Sequence, residues 1–128
     1  MGNGTSIGRV RGLGPAHHGT DHWLKQRFTA ISNLVLMLFL FGSFVFLPSF
    51  DYATVRAWIS GPLPATAMAL LIMSTFYHAR LGLQVLVEDY VHEPGSKFAC
   101  LALLNLAAIG GGVFALVNIA RLAFAGVL

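Results

Sequence analysis

The stretch FTAISNLVLMLFLFGSFVFL, residues 28–47, contains twenty consecutive residues without an Asp, Glu, Lys or Arg. Because an α-helix rises about 1.5 Å per residue, twenty residues span about 30 Å, which is the thickness of the hydrocarbon core of a bilayer. Pro48 and Asp51 follow and end the apolar run. The stretch therefore predicts a membrane-spanning helix over about residues 28–48.

A second uncharged run covers residues 57–79, and prolines near its beginning suit the first turn of a helix. Arg80 interrupts the run, but the apolar pattern resumes directly after it and continues to Val87. One long helix over about residues 64–90 accounts for both parts.

A third uncharged run covers residues 98–120 and predicts a helix over about residues 98–121. The pair Pro94-Gly95 before this run predicts a turn. Three transmembrane helices with short connections thus account for residues 28–128, which we treat as one transmembrane domain.

The composition supports this interpretation. Apolar residues make up 56% of the 128 residues, charged residues make up 10%, and the mean hydropathy is +0.73. Soluble domains carry about 25% charged residues. So few charges exclude a disordered chain, a coiled coil and an ordinary cytosolic enzyme. The expected fold class is an all-α membrane protein.

Residues 1–27 differ from the rest, because they are rich in glycine and hold four of the eight basic residues. We predict an extended, polar segment outside the bilayer. Lys97 returns to the same side, whereas Arg56 and Arg121 lie opposite. The positive-inside rule then places the N-terminus in the cytoplasm and the C-terminus in the periplasm. The basic residues form no stripe with stacking aromatics, so no nucleic-acid partner is expected.

Polar residues inside membrane spans indicate function by default, and they concentrate on the second helix. At about 100° per residue, Asp89 lies about 20° from His78 around the helix and about 16 Å along it. Gly82 shares this stripe one turn after His78, and Tyr90 is adjacent to Asp89. The stripe therefore joins a buried imidazole to an acid and a phenol at the membrane surface.

A neutral imidazole in hydrocarbon is a good axial ligand for haem iron, and a glycine one turn away would leave room for the macrocycle. The alternative is a histidine that only bonds a neighbouring helix. Asp89 and Tyr90 could bind the polar head of a quinone, or they could simply anchor the helix at the interface. Arg80 either extends its guanidinium group towards the membrane surface, or it pairs with a haem propionate or with an acidic residue of a partner subunit.

Two motifs resemble a known family. His78-x3-Gly82-x6-Asp89-Tyr90 is similar to the signature of the hydrophobic membrane anchor subunit of succinate dehydrogenase, the smaller, D-type anchor of respiratory complex II. Arg27-x-Thr29-Ala30-Ile31 is similar to the motif that begins the first span in that family. The length and the number of spans agree as well, so the resemblance covers nearly the whole chain.

The resemblance implies one haem b, for which His78 is an axial ligand of the iron and Arg27 lies near the propionates. It implies a ubiquinone site to which Tyr90 and Asp89 contribute. It also implies three partners: a second three-helix anchor of the cytochrome b556 type, an iron–sulfur subunit and a flavoprotein subunit. FAD and the iron–sulfur clusters would belong to the last two, and this chain would supply no catalytic residue by itself.

Three alternatives remain open at this stage. The chain could anchor a quinol:fumarate reductase, serve as a structural or assembly membrane protein without a cofactor, or form part of a small-solute transporter. The absence of a transit peptide before the first transmembrane run favours a bacterial inner membrane over a mitochondrial one.

Overall fold

The computed structural model describes the backbone of residues 17–124 and the side chains of residues 20–124. The described residues form four helices: α1 (His17–Val45), α2 (Tyr52–Ser60), α3 (Pro62–Tyr90) and α4 (Pro94–Phe124). Three of them are long and apolar enough to cross a membrane, with candidate spans Thr20–Val45, Pro62–Tyr90 and Pro94–Phe124. The prediction of an all-α fold with three transmembrane helices is confirmed.

The first helix begins earlier than predicted. α1 starts at His17, so the expectation of an extended segment is wrong for residues 17–27, and residues 1–16 lie outside the described part of the chain. Lys25 Nζ donates to Asp21 Oδ2 at 2.5 Å, and an ion pair four residues apart stabilises a helix. The predicted boundary at residue 27 therefore falls inside a continuous helix.

The connection between the first two spans contains a short helix that sequence patterns did not indicate. Asp51 caps α2, because its Oδ2 accepts a hydrogen bond from the Thr54 backbone N–H at 3.4 Å. The Ser49 hydroxyl donates to the other carboxylate oxygen. Hydrogen bonds from Ser49 and then Thr54 lower the pKa of Asp51 to about 2, so the cap stays ionised at neutral pH.

The three long helices form a single layer with α3 in the middle. α1 and α4 both pack against α3, and within the described residues they make no contact with each other. α2 packs against α3 and α4, and the Ser60 hydroxyl donates to the carbonyl oxygen of Leu122 at 3.1 Å. We call the opposite end of the layer, where α1 begins, α3 ends and α4 begins, the Tyr90 end.

The turn between α3 and α4 precedes the Pro94-Gly95 pair, which was predicted to form it. Both residues instead open α4, because a proline fits the first helical position. The Glu93 carboxylate accepts the backbone N–H groups of Gly95 at 3.0 Å and Ser96 at 2.5 Å. These bonds, those from Ser96 first, hold the pKa of Glu93 below its ordinary value. Lys97 Nζ closes the turn by donating to the Glu88 carbonyl oxygen at 3.1 Å.

The glycine triplet of the third span lets an aromatic ring approach its backbone. A Cβ placed on Gly111 would lie 2.6 Å from Phe76 Cε1, which is closer than side-chain atoms approach one another. Gly112 is buried against the same ring. The close approach of another helix at this triplet, residues 110–112, is thus made by α3, through Phe76.

Very few side chains of the layer are buried by the chain itself. Among the described residues the buried hydrophobic positions are Leu40, Ile59, Ala67 and Leu81. Large apolar side chains such as Phe46 and Phe98 are 88% and 75% exposed. A surface of this kind requires lipid or other protein around it, because soluble monomers rarely expose extended apolar patches.

Candidate functional site

His78 is held against the first helix by a single polar contact. Its Nδ1 lies 2.9 Å from the hydroxyl oxygen of Thr29, so the two sequence motifs, 49 residues apart, meet at this point. Thr29 is the one buried polar residue of the described chain, with 8% of its surface exposed, and His78 is half-buried. Sequence patterns placed each residue on its own helix but did not pair them.

Thr29 is itself held in position by hydrogen bonds within α1 and by one from α3. Its hydroxyl lies 2.9 Å from the carbonyl oxygen of Lys25 and 3.0 Å from that of Gln26. The Ser74 hydroxyl donates to the Thr29 carbonyl oxygen at 3.3 Å. Three polar groups from α1 and α3 therefore fix the position of Thr29, which in turn contacts the imidazole.

The other ring nitrogen of His78 has no such restraint. Within the described residues Nε2 forms no hydrogen bond, and it is not among the buried polar atoms that lack a partner. Nε2 thus reaches the surface of the layer. A group outside this chain could bond to it without displacing a protein contact.

Gly82 lies beside a side chain of the first helix. A methyl group on Gly82 would lie 3.4 Å from Gln26 Nε2, so this glycine faces α1. On the same side of α1, Gln26 Oε1 and His22 Nε2 are buried and have no hydrogen-bond partner among the described residues. The neighbour of Gly82 is thus a polar side chain, and the expectation that this glycine leaves room for a macrocycle stays a prediction.

Asp89 and Tyr90 lie on the last turn of α3, at the Tyr90 end. Both are exposed, and 77% of the Tyr90 surface is accessible. Neither side chain forms a hydrogen bond within the described residues. Eleven residues separate His78 from Asp89, or about 16 Å along the helix, so the structure does not bring them into contact.

Arg27 lies on the other side of α1 from the His78 contact. Its guanidinium carbon is 5.0 Å from the centre of the Trp23 ring, in a cation–π arrangement within one helix. Because Arg27 precedes Thr29 by two residues, or about 200° around the helix, it points away from α3. The structure does not join Arg27 to His78.

Arg80 is bonded to the third span, a pairing that sequence patterns did not indicate. Its Nε donates to Asn105 Oδ1, and the Asn105 amide donates in turn to the Leu101 carbonyl oxygen at 2.8 Å. Arg80 lies about 200° around α3 from His78. It therefore contributes to the α3–α4 contact, on the side of α3 opposite the histidine.

Two apolar grooves lie side by side on the layer, because both are lined by Met73 and Tyr77. The groove between α3 and α4 has a volume of about 340 Å³ and includes Arg80. The groove between α1 and α3 has a volume of about 450 Å³ and includes Ser32. Tyr77 lines both grooves, a contribution that sequence patterns did not indicate because an aromatic residue is common in any span.

No group of three or more His, Cys, Asp or Glu side chains lies close enough to hold a metal ion within residues 20–124. His78 therefore offers a single nitrogen ligand. A single nitrogen ligand would fit a haem iron, which His78 would hold together with a group from outside this chain.

These features define a multi-pass helical membrane subunit that exposes its apolar surface and leaves Nε2 of His78, within the second span, without a partner among the described residues. The chain belongs to the succinate dehydrogenase/fumarate reductase transmembrane subunit family, whose model matches residues 1–114.

Individual succinate dehydrogenase anchor subunits are also similar to this chain over most of its length. The succinate dehydrogenase hydrophobic membrane anchor subunit of Rickettsia bellii is 28% identical over 113 residues, covering 88% of this chain and 85% of that protein. The protein of the same name from Paracoccus denitrificans is 26% identical, covering 84% of each chain. The succinate dehydrogenase membrane anchor subunit of Reclinomonas americana is 29% identical, covering 71% of this chain and 78% of that protein.

Proposed function

We propose that this chain is a membrane anchor subunit of succinate:ubiquinone oxidoreductase. It attaches the flavoprotein and iron–sulfur subunits to the membrane and serves the tricarboxylic acid cycle and respiratory electron transport. Family membership and the relatives' names support the anchor role. The apolar surface left uncovered by the single layer supports a second anchor subunit beside it.

In this proposal His78 is an axial ligand of haem b. The observation that carries it is the asymmetry of the imidazole, whose Nδ1 is held by Thr29 while Nε2 is open at the surface of the layer. When bound, a haem takes up and passes on single electrons. The residues of this chain hold it in place and surround it with apolar side chains, which exclude water from the imidazole.

Tyr90 and Asp89 contribute to the ubiquinone site. Their exposure at the end of α3 supports this role, since quinone reduction consumes protons that must come from water. The Tyr90 phenol donates a hydrogen bond to a quinone oxygen. The Asp89 carboxylate, adjacent to it, relays protons towards the same oxygen.

Arg27 is proposed to lie near the carboxylates of the haem. A guanidinium pairs well with carboxylates, and its contact with the Trp23 ring leaves its N–H donors available. The role of Arg27 stays a prediction.

The proposal is tested by purifying this chain by an affinity tag from membranes that also contain its three proposed partner subunits. We expect the flavoprotein, the iron–sulfur subunit and a second anchor to co-purify. The reduced-minus-oxidised absorbance spectrum should show a b-type band. A colourless chain without partners would instead identify a structural protein that holds no cofactor. A complex that reduces fumarate with quinol faster than it reduces ubiquinone with succinate would identify the fumarate reductase anchor.

The proposed location is a bacterial inner membrane, with the Tyr90 end in the cytoplasm. Lys25, Arg27 and Lys97 all lie towards this end, which agrees with the positive-inside rule. A reporter enzyme that is active only in the periplasm, fused after Leu128, should therefore be active. The same reporter inserted after His92 should be inactive, and the reverse pattern would invert the orientation.

A further inference from the structure

We propose that Thr29 is a positioning residue that selects the tautomer of His78. The Thr29 hydroxyl oxygen accepts a hydrogen bond from the Nδ1–H, so that Nε2 carries the lone pair that a metal ligand needs. This inference rests on the proposed role of His78 as a haem ligand. It assigns a function to the threonine of the Arg27-x-Thr29 motif, which otherwise has none.

The direction of the hydrogen bond follows from the number of protons available. A threonine hydroxyl has one hydrogen and two lone pairs. Two carbonyl oxygens of α1 lie within 3.0 Å of the hydroxyl, those of Lys25 and Gln26, and a carbonyl can only accept. The Thr29 hydrogen is therefore directed into its own helix. A lone pair of the Thr29 hydroxyl oxygen therefore faces His78, and this oxygen lies 2.9 Å from Nδ1.

The tautomer of the imidazole is then determined. A neutral imidazole carries one hydrogen, and the bond made by one ring nitrogen decides which nitrogen holds it. With the hydrogen on Nδ1, Nε2 has a free lone pair. The opposite arrangement would place a hydrogen on Nε2 and prevent it from binding iron.

The burial of Thr29 makes this arrangement rigid. Only 8% of its surface is exposed, so water does not compete for Nδ1. The Ser74 hydroxyl, which donates to the Thr29 carbonyl oxygen at 3.3 Å, keeps α3 at a fixed distance from α1. The imidazole is thus held in orientation as well as in tautomer.

Hydrogen bonding at Nδ1 also tunes the ligand. A partner that accepts the Nδ1 hydrogen makes the imidazole a stronger electron donor, and loss of such a partner costs about ten- to a hundredfold in metal affinity. A stronger donor stabilises the oxidised iron. Removal of the acceptor should therefore raise the midpoint potential of the haem.

The experiment compares T29V with T29S in the purified four-subunit complex. Valine keeps the shape of threonine but lacks the acceptor, whereas serine retains the hydroxyl. We expect T29V to lower haem affinity at least about tenfold and to raise the midpoint potential. T29S should keep both the haem affinity and the midpoint potential close to those of the unmodified protein. Haem-to-protein ratio and an optical redox titration measure these properties without reference to turnover.

The matched control is T66V. The Thr66 hydroxyl donates at 2.7 Å to the Pro62 carbonyl oxygen, an equivalent bond within one helix, but no histidine faces it. T66V should therefore leave the potential unchanged. If T29V does not assemble, T29C replaces it, because sulfur is a weak acceptor and should raise the potential to a smaller extent.

Two results would overturn the inference. One is an unchanged potential and haem content in T29V, or in T29C where that variant is used. The other is T29S as strongly affected as T29V, which would assign the effect to packing rather than to the hydroxyl. Failure of the proposed function itself would look different, because H78A would then leave the haem spectrum unaltered.

Discussion

Replacement of His78 with alanine is expected to abolish the low-spin b-type spectrum of the purified complex. The variant removes Nε2, the nitrogen that the proposal assigns to the iron. An iron that loses an axial imidazole changes its coordination, and a haem held by one fewer bond is lost more readily. The reduced-minus-oxidised difference spectrum, normalised to protein, measures the effect.

The matched control is H92A. His92 is an exposed histidine in the turn between α3 and α4, and its side chain forms no hydrogen bond within the described residues. Its removal should leave the spectrum unchanged. A normal spectrum in H78A, with the partner subunits still attached, would exclude His78 as the ligand. The contact with Thr29 would then serve only to join two helices.

The second large effect is expected for Y90F. The variant keeps the aromatic ring and removes only the phenolic O–H, so assembly and haem content should be unchanged. A hydrogen bond to an oxygen that gains negative charge is among the stronger ones in proteins. Its loss should reduce the rate of succinate-driven ubiquinone reduction by about ten- to a hundredfold.

Two measurements locate the effect of Y90F. Electron transfer from succinate to a soluble dye, which bypasses the quinone, should stay normal. The control Y52F removes the hydroxyl of another exposed tyrosine at the beginning of α2, at the opposite end of the layer. Y52F should reduce ubiquinone at the normal rate. If Y90F did so as well, Tyr90 would have no part in the quinone site.

The bounds of the spans could be predicted from the sequence to within a few residues, except at the start of α1. The uncharged runs near residues 28–47, 57–79 and 98–120 mark the spans directly, because placing a charge in hydrocarbon costs free energy. The first turns of α1 are polar, and their helical form depends on local pairs such as Lys25–Asp21 rather than on hydropathy. α2 escaped prediction because a nine-residue helix leaves a weak periodic signal.

The site could be predicted only in part. The position of His78, Asp89 and Tyr90 along one helix follows from counting residues, because helical geometry is local. The contact between His78 and Thr29, and the bond between Arg80 and Asn105, join residues from separate helices. Such pairs depend on how each helix is rotated about its axis, which a hydrophobic span does not specify when nearly every face is apolar.

By itself the sequence determined that the chain has three membrane-spanning helices, because burying a charge in hydrocarbon costs free energy and the spans are therefore uncharged runs. It also determined that the polar side chains within the spans concentrate on the second helix. Only the tertiary structure decided that α3 lies between the other two, that Gly82 faces Gln26, and that Arg27 points away from His78. It also decided which nitrogen of His78 is held and which is open. The physical reason is that hydrogen bonds between helices need specific atoms within about 3 Å of each other, and this depends on packing.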